Sequence, residues 1–247
     1  MVKSTDSLAL TEKRDVVSET ILLGQPPVQI TLRRSGQARR LSLRVSRLDG
    51  RVTLSMPKRV PEREAMAFLR EKELWIRKHL EARTPDQTVG FGQAIPFLGQ
   101  QVKIVPGQGR AARLIEGQLH VPGAEDRVAA RVQAFLKLQA QLRLRAASDH
   151  YAEALGTTYG RISLRDTRSR WGSCTSAGNL MYSWRLVMAP AEVLDYVAAH
   201  EVAHRLEMNH SDRFWAHVAR VCPNHAQHRA WLRSEGEGLH AWRFETD

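Results

Sequence analysis

The stretch His200-Glu-Val-Ala-His204, followed by His210, constrains this chain more than any other feature. Histidines four residues apart share a target only on a helix, where their Cβ atoms lie one turn apart, about 6 Å. At that spacing two imidazoles converge on one tetrahedral ion, and Glu201 projects to the side where an attacking water would stand. His210 lies six residues beyond His204, so it reaches the same point only if the helix stops and the chain turns back. Three neutral nitrogens with a fourth position open form the ligand set of a catalytic zinc rather than a structural one. The five-residue motif arises by chance in about 0.02–0.03 of chains this rich in histidine, and the third histidine makes it about twenty-fold rarer.

Pro190 stands where a first-turn proline belongs, and Val193, Leu194, Val197 and Ala198 run an apolar face into the histidines. Asn209 is expected to stop the helix after Met208 in the left-handed conformation. Glu207 lies on the His204 face, where a solvated carboxylate is favoured over a partner of the ligands. The longer metzincin pattern has Gly at that position, so the match to it is poor.

At 247 residues and 43% hydrophobic content, the chain has room for one large domain or two modest ones. No apolar run approaches a membrane span, and the first fifteen residues lack the apolar core of a signal peptide. Two cysteines, Cys174 and Cys222, make no disulfide framework, so reduced thiols and a cytoplasmic location are expected. Lys+Arg 37 against Asp+Glu 26 leaves +11. The arginines cluster at 33, 34, 39, 40, 44 and 47, and again at 161, 165, 168 and 170. Such a field favours anionic partners, nucleic acid foremost, although no interleaved aromatics offer a base-stacking platform.

Residues 1–24 read as a flexible leader. Period-two runs at Val28–Arg33, Leu41–Val45 and Val52–Met56, split by Gly-containing turns, predict a β-meander. Ala65, Phe68, Leu69, Lys72, Trp75, Ile76 and His79 then predict one helix. Gln101–Val105 and a hairpin around Glu116-Gly117 complete a β-rich domain over 25–123, bounded by Val121-Pro122-Gly123. Beyond it, Glu125 to about Leu155 reads as one helix with Val128, Val132, Phe135, Leu142 and Ala146 inward. Strands at Arg161–Asp166 and Asn179–Trp184 flank Arg170-Trp-Gly-Ser-Cys174, and two short helices split by Pro223 close the chain. The Asn179–Trp184 strand is a candidate edge for an extended substrate.

Arg170-Trp-Gly-Ser-Cys, Trp184-Arg-Leu with Pro190, the histidine helix, Asn209-His-Ser and Phe214-Trp together resemble the YgjP-like metal-dependent hydrolases, relatives of the SprT-like zinc proteases. The resemblance reaches back to Arg39-Arg-Leu-Ser-Leu-Arg-Val and departs at Ser183, where Asn is expected, and at His225, where Tyr often follows the proline. It implies zinc on His200, His204 and His210 with Glu201 as the base. The fold expected is α+β: a zincin-like domain over 124–247, built from a long helix, a small sheet and the motif helix, after the β-rich domain with its one helix. The function expected is zinc-dependent hydrolysis of peptide bonds, of the metalloendopeptidase type, with one Zn2+ per chain. Arg170 and the backbone of Trp171, Gly172 and Ser173 are candidate oxyanion donors, and Cys174 is a candidate soft fourth ligand, though a small buried thiol is favoured. The alternative is a metal-dependent endoribonuclease or nucleic-acid-associated hydrolase, against which Glu201 speaks, because such three-histidine sites generally lack a carboxylate between the histidines. Oligomeric state and physiological substrate are not legible.

Overall fold

The computed structural model describes residues 18–46, 50–82 and 85–244. The chain divides into two compact units, Met1–Arg83 and Thr84–Asp247. Of the expected leader, residues 1–17 lie outside the described residues, whereas Ser18–Leu23 form a strand whose last residue is buried.

The first unit holds β1 (Ser18–Leu23), β2 (Val28–Ser35), β3 (Ser42–Val45) and β4 (Val52–Pro57) in the order β1-β2-β4-β3. This is not the expected meander, because β4 pairs with β2 in parallel and β3 is displaced to the edge. The composition explains the exchange. Val52, Leu54 and Met56 are completely buried and suit a central strand, while Ser42 and Arg44 make β3 half-polar. The expected single helix is two, α1 (Glu62–Glu71) and α2 (Glu73–Glu81), broken at Lys72. Ala65, Leu69 and Ile76 pack on Ile30, Leu32 and the β4 residues.

The second unit opens with β5 (Gln87–Thr88) and a sheet of β6 (Ala94–Phe97), β7 (Gln100–Gly107), β8 (Arg113–Ile115) and β9 (Gln118–Pro122), ordered β6-β7-β9-β8. Glu116 and Gly117, with φ of 48° and 75°, make the tight turn of the β8–β9 hairpin. The composition break at 121–123 does not divide two bodies. Ile95, Ile104, Leu119 and Val121 share one core with Val128, Val132 and Leu136, so this compact unit begins at Thr84 rather than at residue 124.

α3 (Val128–Leu155) spans 28 residues and ends on Gly156, whose φ of 67° is the left-handed cap. Its buried stripe is Val128, Val132, Leu136, Ala140, Leu144 and Ser148, while Leu142 is 55% exposed and Ala146 faces solvent. Successive steps of four residues advance the inward face by about 40° each. That drift follows from packing one helix against β9, β10, α4 and α5 in turn. A three-stranded sheet follows: β10 (Ile162–Arg165), β11 (Gly172–Cys174) and β12 (Leu180–Ser183), ordered β10-β12-β11. Then come α4 (Ala191–Ala203), α5 (Asp212–Val221), α6 (His225–Ser234) and β13 (Trp242–Arg243), which pairs with β5. The result is a mixed α+β protein. Among the described residues, no helix is long and apolar enough to cross a membrane.

Arg185, 7% exposed, ties the small sheet to the C-terminal segment. Its guanidinium grips the Asp166 carboxylate at 2.7 and 3.1 Å and donates to the carbonyls of Leu239 and Trp242 at 2.8 and 3.1 Å. Arg185→Leu strips a carboxylate and two carbonyls of their donor, at a cost of about 2–4 kcal/mol. For a domain of this size, that lowers the thermal midpoint by roughly 4–16 °C, measured by calorimetry.

Candidate metal centre

α4 is apolar nearly all round, with Val193, Leu194, Val197, Ala198, Ala199, Val202 and Ala203 buried, so it sits inside the second unit. It carries Tyr196, His200 and Glu201 and ends at Ala203, with His204 as its cap residue. The helix therefore stops a full turn before Asn209. Non-glycine residues with positive φ are confined to Leu98 and Glu116 among the described residues, so Asn209 does not take the expected left-handed conformation. It acts through its side chain instead: Oδ1 accepts from the Ser211 N–H at 2.9 Å, and Nδ2 donates to Glu207 Oε1 at 2.8 Å. Ser211 then caps α5 by accepting from the Phe214 N–H.

This reversal brings the three histidines together. The ligand nitrogens of His200, His204 and His210 all lie within 4.8 Å of one another, and His200 Nε2 and His210 Nε2 are 3.0 Å apart. Two nitrogens bound tetrahedrally to one zinc at 2.0–2.1 Å stand about 3.4 Å apart, so the donor set fits such an ion. His204 Nδ1 lies 3.0 Å from the Glu207 carbonyl. A carbonyl only accepts, so Nδ1 carries the proton and Nε2 keeps its lone pair for a metal. Glu207 thus supports the cluster through its backbone, not its carboxylate. Phe214 is completely buried against all three rings, stacked on His204 at 4.4 Å and edge-on to His200 and His210 at 4.8 Å each.

Burial, with His204 and His210 adding to it, pushes His200 down to about 3, and burial also lowers His204. Both are neutral donors at pH 7. Glu201 is 5% exposed, and burial raises its carboxyl to about 8 against the opposing pull of Arg170. A cation beside it favours its charged form. A Cβ on Gly172 would lie 2.5 Å from Glu201 Oε1, so glycine is what lets β11 pass against this carboxylate.

The expected edge strand is not an edge. β12 is paired on both sides, parallel to β10 and antiparallel to β11, and cannot accept a further strand. The open edge beside Glu201 belongs to β11. The Trp171 carbonyl accepts from the Ser183 N–H at 2.8 Å, and the Thr175 N–H donates to the Asn179 carbonyl at 3.0 Å. Residues 171, 173 and 175 therefore face β12, and the N–H and C=O groups of Gly172 and Cys174 face outward. Cys174 lies outside the histidine group; its half-buried thiol points to the Thr175 carbonyl, and burial raises its pKa. Of the two departures in sequence, Ser183 is completely buried, its hydroxyl without a partner among the described residues, and His225 stacks on Trp215 at 5.6 Å.

A cleft of about 260 Å³ opens beside His200 and Glu201, lined also by Trp171, Tyr196, Arg229 and Arg233. Tyr196 belongs to no motif, and its one signal in sequence is its place four residues before His200, on the same helix face. The two arginines carry no motif that could have signalled them.

A family model described as YgjP-like, metallopeptidase domain, matches residues 39–235. The chain is also similar to a solved structure, the metallopeptidase zymogen of Pyrococcus abyssi abylysin, at 20% identity. That match covers 37% of this chain and 95% of the other, with a TM-score of 0.34. No curated protein matches.

Gly172→Ala is expected to drive its methyl group into the Glu201 carboxylate and destabilise the protein by about 1–3 kcal/mol. Glu201→Ala removes the obstructing group, so the double variant should recover most of that loss. Denaturant titration of the four proteins in a double-mutant cycle measures the coupling, and additive losses would contradict the contact.

Proposed function

The chain belongs to the YgjP-like metallopeptidase family, and on that premise we propose that it hydrolyses peptide bonds with one zinc ion held by His200, His204 and His210 and with Glu201 as general base. The observation that carries this is the convergence of three imidazoles beside a buried carboxylate. A zinc ion held by these residues would supply Lewis acidity, acidifying water to a pKa of about 7 and polarising a carbonyl. The chain's own residues supply the rest. The Glu207 carbonyl holds His204 in the tautomer that presents Nε2. The Glu201 carboxylate takes the proton of the attacking water and hands it to the leaving amine. Outward N–H and C=O groups of Gly172 and Cys174 hold the substrate extended, as an added strand on β11. The Tyr196 hydroxyl, on the lining of the same cleft, is the donor we assign to the developing oxyanion. This arrangement is zincin-like, and we assign catalysis to the second compact unit. The free thiols of Cys174 and Cys222 fit a reducing compartment, and we place the protein in the cytoplasm.

Nucleic acid is a second partner we assign, to the first unit. One face of its sheet is covered by α1 and α2, and strand register defines the other. Ser18, Arg33, Ser55 and Ser42 form one cross-strand row, and Thr20, Thr31, Thr53 and Arg44 the next. Hydroxyls and guanidiniums without a carboxylate are phosphate ligands that read no sequence. Arg34 is not among them, because it donates to the Val60 carbonyl at 2.8 Å.

Two outcomes test these assignments. Glu201→Gln should retain zinc, measured by elemental analysis, while peptide hydrolysis falls about 10²–10⁴-fold; an active variant contradicts the mechanism. Nucleic-acid affinity should fall with salt, at a slope of about −0.9 per neutralised duplex phosphate. Arg33→Ser with Arg44→Ser should flatten that slope and leave peptide cleavage intact, whereas sequence-selective binding would contradict the assignment.

A further inference from the structure

α6 carries Arg229 and Arg233, four residues apart and so on one face, and that face lines the cleft beside His200 and Glu201. Trp171, Val197 and Leu232 give the cleft apolar walls, with Tyr196 buried against them. Glu201 is the sole acid on the lining, so two guanidiniums dominate its charge. Neither arginine has a carboxylate within ion-pair distance among the described residues. The Arg229 guanidinium lies 4.8 Å over the Trp215 ring, which holds it in place before any ligand arrives.

Two planar guanidiniums at the mouth of a small apolar cleft match one chemical class: a short apolar stem ending in a carboxylate, which guanidinium forks bind bidentately. A lysine or arginine side chain entering the same cleft would meet two like charges. We propose that Arg229 and Arg233 form a carboxylate subsite that selects substrates with an acidic side chain, or a free C-terminus, within two residues of the scissile bond. This rests on the metallopeptidase reading given above.

The test uses the zinc-loaded full chain and a mixture of peptides of equal length, with cleavage sites and rates read by mass spectrometry. One arm pairs Asp and Glu peptides with their Asn, Gln and Lys counterparts, and a second pairs free C-termini with amidated ones; together they distinguish the two sources of carboxylate. Bonds flanked by the preferred carboxylate should be cut with about tenfold higher kcat/KM than matched neutral ones, equivalent to about 1.4 kcal/mol. Arg229→Gln and Arg233→Gln should each reduce that preference through KM while zinc content stays unchanged. Arg233→Glu should shift the preference toward Lys, a gain that no merely structural role for this exposed side chain would produce. Equal cleavage of acidic, neutral and basic peptides by the wild type overturns the subsite alone, as does a preference that survives Arg229→Gln combined with Arg233→Gln. Failure of the wild type to cut any peptide overturns the metallopeptidase reading, and the subsite falls with it.

Discussion

Between His204 and His210 the chain leaves a buried helix and returns within six residues, and the site depends on that reversal being held. Three contacts hold it: the Glu207 carbonyl on His204 Nδ1, the Asn209 side chain on Ser211, and the Phe214 ring packed against all three imidazoles. Each acts on a different part of the turn. The first sets a tautomer, the second starts α5, and the third fills the space behind the three rings. A helix alone can present His200 and His204, but His210 joins them only because these contacts fix the loop.

The same dry surroundings govern the acid–base character of the centre. Burial holds His200 neutral well below physiological pH and raises the Glu201 carboxyl to about 8. Each shift opposes charge in a place poor in water, and a metal cation resolves the opposition by favouring neutral nitrogens and an ionised carboxylate together. Gly172 belongs to this arrangement as well, since any side chain there would occupy the space of the Glu201 carboxylate. One glycine thus links the open edge of β11 to the group beside it.

Much of this was legible in the sequence because helical spacing is a strong geometric statement. The pair His200 and His204, Glu201 between them and the need for a turn before His210 all follow from residue offsets. The Glu116-Gly117 hairpin was legible too, because the residue pair demands that turn. Long-range pairing was not. β4 runs parallel to β2 instead of continuing a meander, and β12 lies between β10 and β11, facts that no local pattern encodes. The inward face of α3 drifts because its neighbours change along its length, so a single stripe misplaced Leu142 and Ala146. Asn209 was misread for a related reason: a residue that tolerates left-handed backbone also makes side-chain turns, and only the fold chooses between them.

The central claim is that three imidazoles, and no thiolate, hold a zinc ion at the end of α4. Zinc-edge X-ray absorption of the purified protein tests it most directly. The expected spectrum shows nitrogen and oxygen scatterers at about 2.0–2.1 Å with the outer-shell signature of imidazole rings. A sulfur shell at about 2.3 Å would place Cys174 or Cys222 on the metal and contradict the account.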